Sequence, residues 1–442
     1  MNIVQAVGWY YPDSLGGTEV YVAALAREYR AAGHRVAIAA PEPGAAAPRS
    51  YTHEGCDVFR YPIPAAPTRD EAQGRVVVRG AELFHRWIAE ARADAVHFHT
   101  FVTGLGLHEI AAARAHAACV IATTHASSLG FLCQRGTLMW HGQTLCDGLV
   151  DPVRCAECEL EHRGATPEAA AGLARIPSVV SHAARALPFR AGTALGMRDL
   201  IACNQERQRQ MFTLLDRFVV LTRRAADIVL ANGAPGDRVT VNRLGVSQER
   251  AAIRTEPRRP ASAPVRVGYV GRFDPVKGVH ELAGALQRLP ADVPLRCEFR
   301  GPANGAIDRA TREALQRALA GDARVTFGDA VPTMAMPGLL ASYDVVCCPS
   351  RCLEGGPTVA LEAIAAGTPV IAADAGGIAE VIEDGVNGRL VPPGGTNALA
   401  DALREIACDP AGTIERWRGR LPRARTMREV AADYLSLYAG AA

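Results

Sequence analysis

The stretch that decides the fold is residues 254–272, which read RTEPRRPASAPVRVGYVGR. Its first half is polar and rich in proline and arginine, a composition typical of a linker between domains. Its second half contains an apolar run, Val265–Val270, with the length and composition of a buried strand. A new first strand after a linker predicts that a second folded domain begins here.

On both sides of this stretch, apolar strands alternate with amphipathic helices. Before it, we predict strands at Asn2–Val7, Arg35–Ala40, Ala95–His99 and Val120–Thr124, and a first helix at Thr18–Ala32. After it, we predict strands at Leu295–Arg300, Val325–Phe327, Asp344–Pro349, Pro369–Ala373 and Arg389–Val391. Such alternation predicts parallel, doubly wound sheets of the α/β class.

We therefore predict two Rossmann-like domains that face each other across a central cleft. The first spans residues 1–246, with a cysteine-containing insertion at about 126–165, and the second spans 263–420. Residues 247–262 are the predicted linker, and 421–442 form a closing helix. Ligands of such sheets bind at the carboxyl ends of the strands.

The composition narrows the class of protein. The chain has 442 residues, 48 basic and 46 acidic, and a net charge of +2, which gives no reason to expect a nucleic acid as its main ligand. No apolar run approaches the roughly 18–20 residues of a membrane span. The start, MNIVQAVGWYYP, lacks the features of a signal peptide, so we expect a cytoplasmic protein with reduced cysteines.

The first candidate motif is SLGGTE, residues 14–19, between the first strand and the first helix. Gly16 and Gly17 would let a phosphate approach the backbone at a helix N-terminus. The alternative is a flexible loop with a threonine cap. The motif is not G-x-G-x-x-G, so it does not predict a dinucleotide site.

The second candidate motif is YVGRFDPVKG, residues 269–278, which follows the first strand of the second domain. It places Arg272 and Lys277 at the carboxyl end of that strand. Two cations at this position suit a diphosphate, because arginine binds phosphate bidentately and lysine acts as a point charge.

The third candidate motif is SRCLEGGPTVALEAIAAGTPVIAADAGG, residues 350–377. It holds two carboxylates, Glu354 and Glu362, on either side of a predicted helix start. Glu354 could accept hydrogen bonds from sugar hydroxyls, and Glu362 from a ribose. Gly355, Gly356, Pro357 and Thr358 form the loop and the start of this helix, and the free N–H groups of the helix start would bind an anion. The alternative is a surface Glu354 and a Glu362 that caps a buried loop.

Four cysteines lie close together in CQRGTLMWHGQTLCDGLVDPVRCAEC, residues 133–158. The spacing of Cys155 and Cys158 is typical of a metal knuckle, and Cys133 and Cys146 complete a four-thiolate set. We predict a structural zinc ion. An iron–sulfur cluster, disulfides and unconnected thiols are the alternatives. We expect Cys347, Cys348 and Cys352 to be core residues, and His97 and His99 to be packed or acceptor-facing.

Taken together, these motifs resemble those of retaining nucleotide-sugar glycosyltransferases of family 4, which have the two-domain fold called GT-B. Glu354 and Glu362 match the E-x7-E element, and GRFDPVKG resembles the phosphate-binding stretch. Further similar blocks are GGTEVYVAALAREYRAAGHRV, NRLGVS, GTPVIAADAGGIAEVI and GVNGRLVPPG. Residues 126–215 are the least covered.

The resemblance implies transfer of a hexose-type sugar from a nucleoside diphosphate, such as UDP, to an acceptor hydroxyl with retained anomeric configuration. It implies that Arg272 and Lys277 bind the pyrophosphate, Glu354 the donor sugar and Glu362 the ribose. His125 matches the histidine near the anomeric carbon. The residue after it is Ala126, where the family often has aspartate, which argues against an acid–base pair.

The chemistry predicted for this site needs no catalytic metal or other cofactor. No Asp-x-Asp motif occurs in the chain, and the leaving phosphate can take the acceptor's proton. Two alternatives remain: an epimerase or phosphorolytic enzyme of the same fold, and a nucleotide-sugar-binding protein without catalysis. The acceptor stays open between a glycan, a lipid-linked glycan and a small molecule.

A basic, partly apolar segment is compatible with a peripheral contact with the inner membrane face, although such a stretch is more often a solvated helix face. The arginines of this segment are Arg185, Arg190, Arg198, Arg207 and Arg209. Basic amphipathic helices can lie on anionic lipid, and a solvated helix face is the alternative.

Overall fold

The computed structural model describes residues 1–14, 16–125, 133–247 and 263–440. Its contacts divide the chain into two compact units. The N-terminal unit comprises Met1–Asn242 and Arg428–Ala442, and the C-terminal unit comprises Arg243–Met427. The predicted linker at 247–262 lies almost entirely outside the described residues. The closing helix, predicted at 421–442, is Met427–Gly440 and belongs mainly to the N-terminal unit.

The described strands of the N-terminal unit form one eight-stranded sheet and one small hairpin. The sheet has the order β10-β9-β6-β5-β1-β2-β4-β3 and is parallel except for the edge strand β3. Its strands are β1 (Asn2–Ala6), β2 (Arg35–Pro43), β3 (Arg49–His53), β4 (Cys56–Ile63), β5 (Ala95–Phe98), β6 (Cys119–Thr124), β9 (Arg217–Val220) and β10 (Val239–Val241). The hairpin consists of β7 (Met139–Trp140) and β8 (Thr144–Leu145).

The helices of this unit include several that the sequence did not predict, between β6 and β9. The described helices are α1 (Gly17–Ala31), α2 (Arg69–Ala72), α3 (Glu82–Ala91), α4 (Leu107–Arg114), α5 (Pro152–His162), α6 (Pro167–Ala174), α7 (Ser178–Ala184), α8 (Phe189–Leu195), α9 (Met197–Leu214) and α10 (Arg223–Ala231).

The C-terminal unit contains a six-stranded parallel sheet in the order β13-β12-β11-β14-β15-β16. Its strands are β11 (Val265–Val270), β12 (Leu295–Arg300), β13 (Val325–Gly328), β14 (Val345–Cys348), β15 (Val370–Ala373) and β16 (Gly388–Val391). Its helices are α11 (Val279–Arg288), α12 (Ala306–Ala318), α13 (Met336–Ser342), α14 (Thr358–Ala365), α15 (Gly376–Ala379), α16 (Thr396–Cys408) and α17 (Arg416–Arg418). The closing helix Met427–Gly440 is α18.

Alternation along β14 shows why this sheet is buried on both faces. Val345 and Cys347 pack into one core cluster, whereas Val346 and Cys348 pack into another. Successive side chains of a strand point to opposite faces, so a strand covered by helices on both sides must be apolar throughout. This explains why the apolar runs in the sequence predicted these strands so closely.

The strand orders locate the switch point of each sheet. In the C-terminal unit, the chain leaves β11 in one direction and returns beside it as β14; in the N-terminal unit, β1 and β5 have the same relationship. Loops that follow these strands diverge and leave a crevice, which is where doubly wound sheets bind ligands. In the described part of the chain, no helix has the length and apolar character needed to cross a bilayer.

Candidate functional site

The loop after β11 carries the two predicted phosphate-binding cations. Arg272 is mostly exposed, and its nearest acidic partner is Asp274, at 3.5 Å. Asp274 caps the short 3₁₀ helix Pro275–Lys277 by accepting from the N–H of Val276 at 3.0 Å. The loop therefore holds Lys277 on a short, capped turn and leaves the Arg272 guanidinium accessible to a ligand.

This turn packs closely against the loop after β14. Gly278 follows Lys277 with a φ of +77°, and a Cβ on it would lie 1.8 Å from the carbonyl oxygen of Pro349. The N–H of Arg351 donates to the carbonyl of Val276 at 2.8 Å. Only glycine allows both this backbone conformation and this approach. The two loops at the switch point are thus joined backbone to backbone.

Glu354 links the loops through its side chain. Its Oε2 lies 2.9 Å from Lys277 Nζ, and its Oε1 accepts a short hydrogen bond from the Ser350 hydroxyl. Both partners of the ion pair are largely buried, with 28% of the Lys277 and 14% of the Glu354 side chain exposed. The side chain predicted to bind phosphate and the side chain predicted to bind the donor sugar are therefore in direct contact.

The segment from Gly355 to Thr358 leads into α14. The helix begins after Pro357 with no side-chain cap, so its first amides are available to an anion in the way that helix starts generally are. Glu362 lies within this helix and is half-buried. Glu362 has an interaction partner in the structure. The apolar residues around it in the sequence of α14 would suggest a carboxylate without a partner.

A second pair of glycines brings α15 up to the same loop. The N–H of Gly377 donates to the carbonyl of Glu354 at 2.9 Å. A Cβ on Gly376 would lie 2.2 Å from that carbonyl oxygen, and one on Gly377 would lie 2.4 Å from the oxygen of Gly355. The sequence block GTPVIAADAGG thus supports the position of Glu354 through its backbone.

Buried groups beneath the loops respond to the charge of Glu354. Burial, with a contribution from Glu354, raises the pKa of Cys348 to about 12 and that of Cys352 to about 11, and Lys277 opposes the shift in both. Burial, followed by Cys348 and Glu354, raises the pKa of Tyr269 well above its usual value. These groups stay neutral at physiological pH and form an uncharged floor below the ion pair. Cys347 and Cys348 are core residues, as expected, whereas Cys352 is only half-buried.

Gly16 and Gly17 open α1 in the N-terminal unit, at the carboxyl end of β1. A Cβ on Gly16 would lie 2.6 Å from Glu19 Oε2, and the buried Glu19 accepts from the Ser14 hydroxyl at 2.5 Å. A Cβ on Gly17 would meet no atom within 4 Å. Gly16 therefore has a packing role, while Gly17 lies at an open position.

His125 follows β6 and belongs to a chain of side chains in the N-terminal unit. Its Nε2 lies 3.4 Å from His99 Nδ1, and His99 Nε2 lies 2.6 Å from Gln5 Oε1. A carboxamide oxygen can only accept, so the proton of His99 is on Nε2 and its Nδ1 accepts from His125 Nε2. Burial lowers the pKa of His125 to about 4, so the ring is neutral with an unprotonated Nδ1.

His97 is the centre of a second buried network that anchors the last helix, α18. Its Nδ1 lies 2.8 Å from the Tyr438 hydroxyl, and its Nε2 lies 2.7 Å from the Thr123 hydroxyl, which in turn contacts Tyr434 at 2.9 Å. Burial lowers the pKa of His97 and of His99 well below the usual value. His97 and His99 are thus fully packed, one of the two roles expected for them.

The four predicted metal-binding cysteines lie in one region of the N-terminal unit. Burial raises the pKa of Cys155 to about 11, and the neighbouring Cys146, Cys133 and Cys158 add to the shift. No three of their sulfurs lie within 4.8 Å of one another, however. In the described residues, the group of potential metal ligands within 4.8 Å of one another is His141, Glu157 and Glu161. The four cysteines are therefore near one another in the structure, but their sulfurs do not form a preassembled four-thiolate metal site.

A cavity of about 460 Å³ lies within the N-terminal unit beside the loop that follows β5. Its lining includes Phe101 and Gly106 from that loop, and Asn204 and Arg207 from α9. Of the five arginines predicted to face a membrane, two instead donate to backbone carbonyls within the unit: Arg198 to Ile176 at 2.8 Å, and Arg207 to Gln73. Arg209 pairs with Glu206 at 3.1 Å.

Sequence reasoning missed several residues that shape the two sites. Ser350, Gly278 and Gly376 position Glu354 and Lys277, and Gln5 and His99 orient His125. The motifs contain these residues, but only close approaches between distant segments show what they do. Tyr434 and Tyr438 gave no signal at all, because their contacts to β5 and β6 span some 300 residues of chain.

Two family models match the chain and together cover most of it. The model described as "Glycosyl transferase 4-like domain" matches residues 16–245, and the model described as "Glycosyl transferases group 1" matches residues 253–420. The first includes Gly16, Gly17 and His125. The second includes Arg272, Lys277, Glu354 and Glu362.

Curated relatives match over part of their length. The D-inositol 3-phosphate glycosyltransferase of Kribbella flavida is 35% identical over 224 residues, which are 47% of this chain and 52% of that protein. The glycogen synthase of Mycobacterium tuberculosis H37Rv is 33% identical over 189 residues, 42% of this chain and 44% of that protein. This chain therefore spans about half the length of the curated relatives it matches.

Solved structures match over the whole chain at low sequence identity. Sucrose-phosphate synthase from Thermosynechococcus elongatus gives a TM-score of 0.66 at 20% identity, covering 100% of this chain and 99% of that one. The Anabaena protein HepE in complex with UDP gives a TM-score of 0.64 at 16% identity, with 100% of both chains covered. These matches and the two parallel sheets confirm the predicted GT-B fold. The chain belongs to the group 1 glycosyl transferases, with an N-terminal domain of the glycosyl transferase 4-like type.

Proposed function

We propose that this protein is a retaining glycosyltransferase that moves a hexose from a nucleoside-diphosphate sugar to an acceptor hydroxyl. The observation that carries the proposal is the contact between Lys277 and Glu354 at the switch point of the second sheet. A cation and a carboxylate that converge at this position suit a ligand with a diphosphate next to a polyhydroxylated ring. Family membership agrees with this class of reaction.

In this proposal, the C-terminal unit binds the donor. Arg272 and Lys277 bind the diphosphate, helped by the backbone from Gly355 to Thr358. Glu354 accepts hydrogen bonds from hydroxyls of the donor sugar, and Glu362 accepts from the ribose. In the N-terminal unit, Gly16 and Gly17 offer backbone N–H groups to a phosphate, and His125 offers its unprotonated Nδ1 to a sugar hydroxyl.

The chemical step breaks the bond between the anomeric carbon and the diphosphate oxygen, and it forms a bond from that carbon to the acceptor oxygen on the same face. The acceptor's proton moves to the departing phosphate oxygen, so no protein nucleophile is required. Negative charge grows on the leaving group, and Arg272 and Lys277 stabilise it as it forms. The products are the glycoside with retained configuration and the nucleoside diphosphate.

We propose that this step needs no metal ion, because the two cations supply the charge that a divalent ion would otherwise bring to the diphosphate, and the chain has no Asp-x-Asp motif. A zinc ion bound by Cys133, Cys146, Cys155 and Cys158 would be structural and would take no part in the transfer.

UDP-glucose is the donor that we propose to test first, because solved neighbours of this fold have been crystallised with UDP and with UDP-glucose. For the acceptor we propose the cavity beside Phe101 and Asn204, since it opens next to the same end of β5 as His99. An Asn204→Leu variant would then raise the KM for the acceptor and leave the affinity for UDP unchanged.

A cytoplasmic protein with a peripheral membrane contact is also part of the proposal. The membrane contact is supported by exposed apolar residues near α7, where 79% of Val179, 53% of Val180 and 44% of Leu187 are exposed. The exposed Arg190 lies close by in the chain. Flotation with liposomes rich in anionic lipid tests this contact, and a V179D/V180D variant that floats as well as the wild type would rule it out.

The transfer reaction is tested by incubating the protein with nucleotide sugars and a panel of hydroxyl acceptors. We expect acceptor-dependent release of nucleoside diphosphate, a product with the donor's anomeric configuration by NMR, and full activity in EDTA. Donor turnover that needs no acceptor would favour an epimerase, and turnover that needs phosphate would favour a phosphorolytic enzyme. Tight UDP-sugar binding without turnover of any acceptor would favour a binding protein.

A further inference from the structure

The cysteine segment after His125 is built as a small module of its own. Its hairpin, β7 and β8, forms a separate two-stranded sheet with two residues in each strand. A hairpin this short has no independent stability, and it needs a further link to hold its shape. The helix that follows, α5, begins seven residues after β8 and packs against α6 and α9.

The four cysteines are distributed over these short elements. Cys133 starts a turn, in which the N–H of Gly136 donates to its carbonyl at 3.0 Å. Cys146 follows β8 directly and is tied to the start of the hairpin by its N–H, which donates to the Leu138 carbonyl at 2.8 Å. Cys155 and Cys158 lie three residues apart on α5, so they share one face of the helix.

Two of the sulfurs already accept hydrogen bonds from the backbone. The N–H of Gly148 donates to Cys146 Sγ at 3.4 Å, and the N–H of His141 donates to Cys158. Backbone donors of this kind stabilise a thiolate and fix its direction, as groups around metal-bound sulfurs generally do. The cation of Arg135 also lies close to Cys158. These contacts oppose the effect of burial, which raises the pKa of both thiols.

We propose that Cys133, Cys146, Cys155 and Cys158 bind one zinc ion that ties the hairpin to the start of α5. Four thiolates from two elements match the ligand set of a closed, structural zinc site. The sulfurs must turn inward by rotation about their side-chain bonds. Cys158 Sγ would leave the Met139 carbonyl, 3.8 Å away, and Cys155 Sγ would leave the Leu149 carbonyl, 4.0 Å away.

The rival metal site in the same module is His141, Glu157 and Glu161, whose ligand atoms lie within 4.8 Å of one another. These side chains already have partners. His141 forms a short hydrogen bond with Glu161, and Glu157 pairs with Arg175 at 3.3 Å. A zinc ion there would have to displace the arginine. Cys146 and Cys158 also lie near cations, Arg154 and Arg135, but these arginines are contacts of single sulfurs, and the four cysteines supply a complete set of four ligands whereas the rival site supplies three.

The zinc site would also fix the segment that leads away from it. Asn232, directly after α10, donates to the Gly148 carbonyl and accepts from the N–H of Val150, both at 2.9 Å. Gly148 and Val150 lie just after Cys146, so a metal at the cysteines would brace this connection between the module and the main sheet. The proposal is independent of the transfer reaction.

The test measures the metal content of the full chain purified without chelators. We expect one zinc ion per chain, released by a mercurial reagent in step with four thiols. Replacement by cobalt should give the sulfur-to-metal absorption of a tetrahedral thiolate site. C146S and C158S should each lower the zinc content to a small fraction of the wild-type value. The control C408S, at an exposed cysteine of the C-terminal unit, should retain it.

Four outcomes would overturn the proposal: zinc-free wild-type protein with four freely reactive thiols, disulfides among these cysteines by peptide mapping, an iron–sulfur absorption spectrum, or zinc that is lost in H141A but kept in C146S. If the serine variants do not fold, the coupled release of zinc and thiols from the wild-type chain decides the matter alone.

Discussion

Lys277 Nζ lies 2.9 Å from Glu354 Oε2, and this contact joins the loop after β11 to the loop after β14. The cation that we assign to the diphosphate thus forms an ion pair with the carboxylate that we assign to the sugar. When the donor binds, Lys277 and Glu354 would give up this ion pair, and each would form charge-assisted hydrogen bonds to the donor instead. Mutations of Lys277 and of Glu354 should therefore have opposite effects on the affinity for UDP, which lacks the donor hexose.

The first prediction separates the roles of Glu354 and Glu362. E354A should bind UDP as tightly as the wild type or more tightly, because Lys277 loses its competing partner, while transfer falls by about 100-fold or more. E362A should lose about 10-fold or more in UDP affinity, the cost of one hydrogen bond to a charged group. Calorimetric titration with UDP and with UDP-glucose measures both effects.

The matched control for these variants is E313A, which removes an exposed carboxylate of α12. It should change neither affinity. If E354A weakens UDP binding as strongly as E362A does, Glu354 does not act through the sugar and the assignment of the two carboxylates is wrong.

The second prediction concerns the two cations. K277A and R272A should each lower kcat/KM for the donor by roughly 10- to 150-fold, because each removes a charged hydrogen bond to the leaving diphosphate. The loss should appear in kcat as well as in KM, since charge on the leaving group grows in the transition state. Steady-state kinetics at several donor concentrations separate the two parameters.

R404A removes an exposed cation of α16 that pairs with Asp401, and it serves as the control for a general change of charge. Its kinetics should match those of the wild type. An equal loss in R404A and R272A would mean that Arg272 acts only through the overall field of the unit.

The third prediction tests the close approach of the two loops. G278A should destabilise the protein by more than the roughly 1–2 kcal/mol that a left-handed φ costs alanine, because its Cβ would also meet the Pro349 carbonyl. G394A has a nearly identical φ, +76°, in the same unit, but its Cβ would meet no atom within 4 Å. Urea unfolding of the two variants isolates the effect of the contact, and equal losses of stability would show that the loops separate at little cost.

The fourth prediction is a dependence of stability on pH. Burial lowers the pKa of His125 to about 4 and shifts those of His97 and His99 in the same direction, so these rings stay neutral in the folded state. Between about pH 6.5 and 4 the unfolded chain binds protons that the folded chain does not. The free energy of unfolding should therefore fall as the pH drops through this window, by up to about 1.4 kcal/mol per pH unit for each histidine.

Urea unfolding at pH 7, 6 and 5 measures this slope, and an H125N variant should have a smaller one. The contrary result is an equal slope in both proteins, which would mean that His125 titrates alike in the folded and unfolded states. Transfer activity should also lack an acid limb near pH 6.5 that is due to His125, because the ring is not yet protonated there.

The sequence predicted all six strands of the C-terminal sheet for a specific physical reason. Strands such as β11 and β14 are covered on both faces, so Val345–Cys348 is apolar throughout and Val265–Val270 is apolar except for Arg266, which makes both easy to recognise. In the N-terminal sheet, β4, β9 and β10 were not predicted, and the edge strand β3 was missed because Arg49–His53 is polar and half-exposed. The helices between β6 and β9 were missed as well, since their small core around Ala156 and Leu160 leaves only a weak pattern.

For the candidate site, the sequence predicted which residues follow the central strands, but it could not predict how they pair. Arg272, Lys277 and Glu354 were placed correctly at strand ends, yet the ion pair between Lys277 and Glu354 depends on how two loops 77 residues apart pack. The orientation of His125 depends, through His99, on Gln5, which lies in β1 and is distant from His125 in the sequence. Long-range contacts of this kind leave no local pattern.

The most direct test of the central claim is a crystal structure of this protein with UDP bound. We predict diphosphate oxygens within hydrogen-bond distance of the Arg272 guanidinium and Lys277 Nζ, with the ribose hydroxyls at Glu362. UDP bound at another place, with Arg272 and Lys277 free of phosphate contacts, would contradict the account.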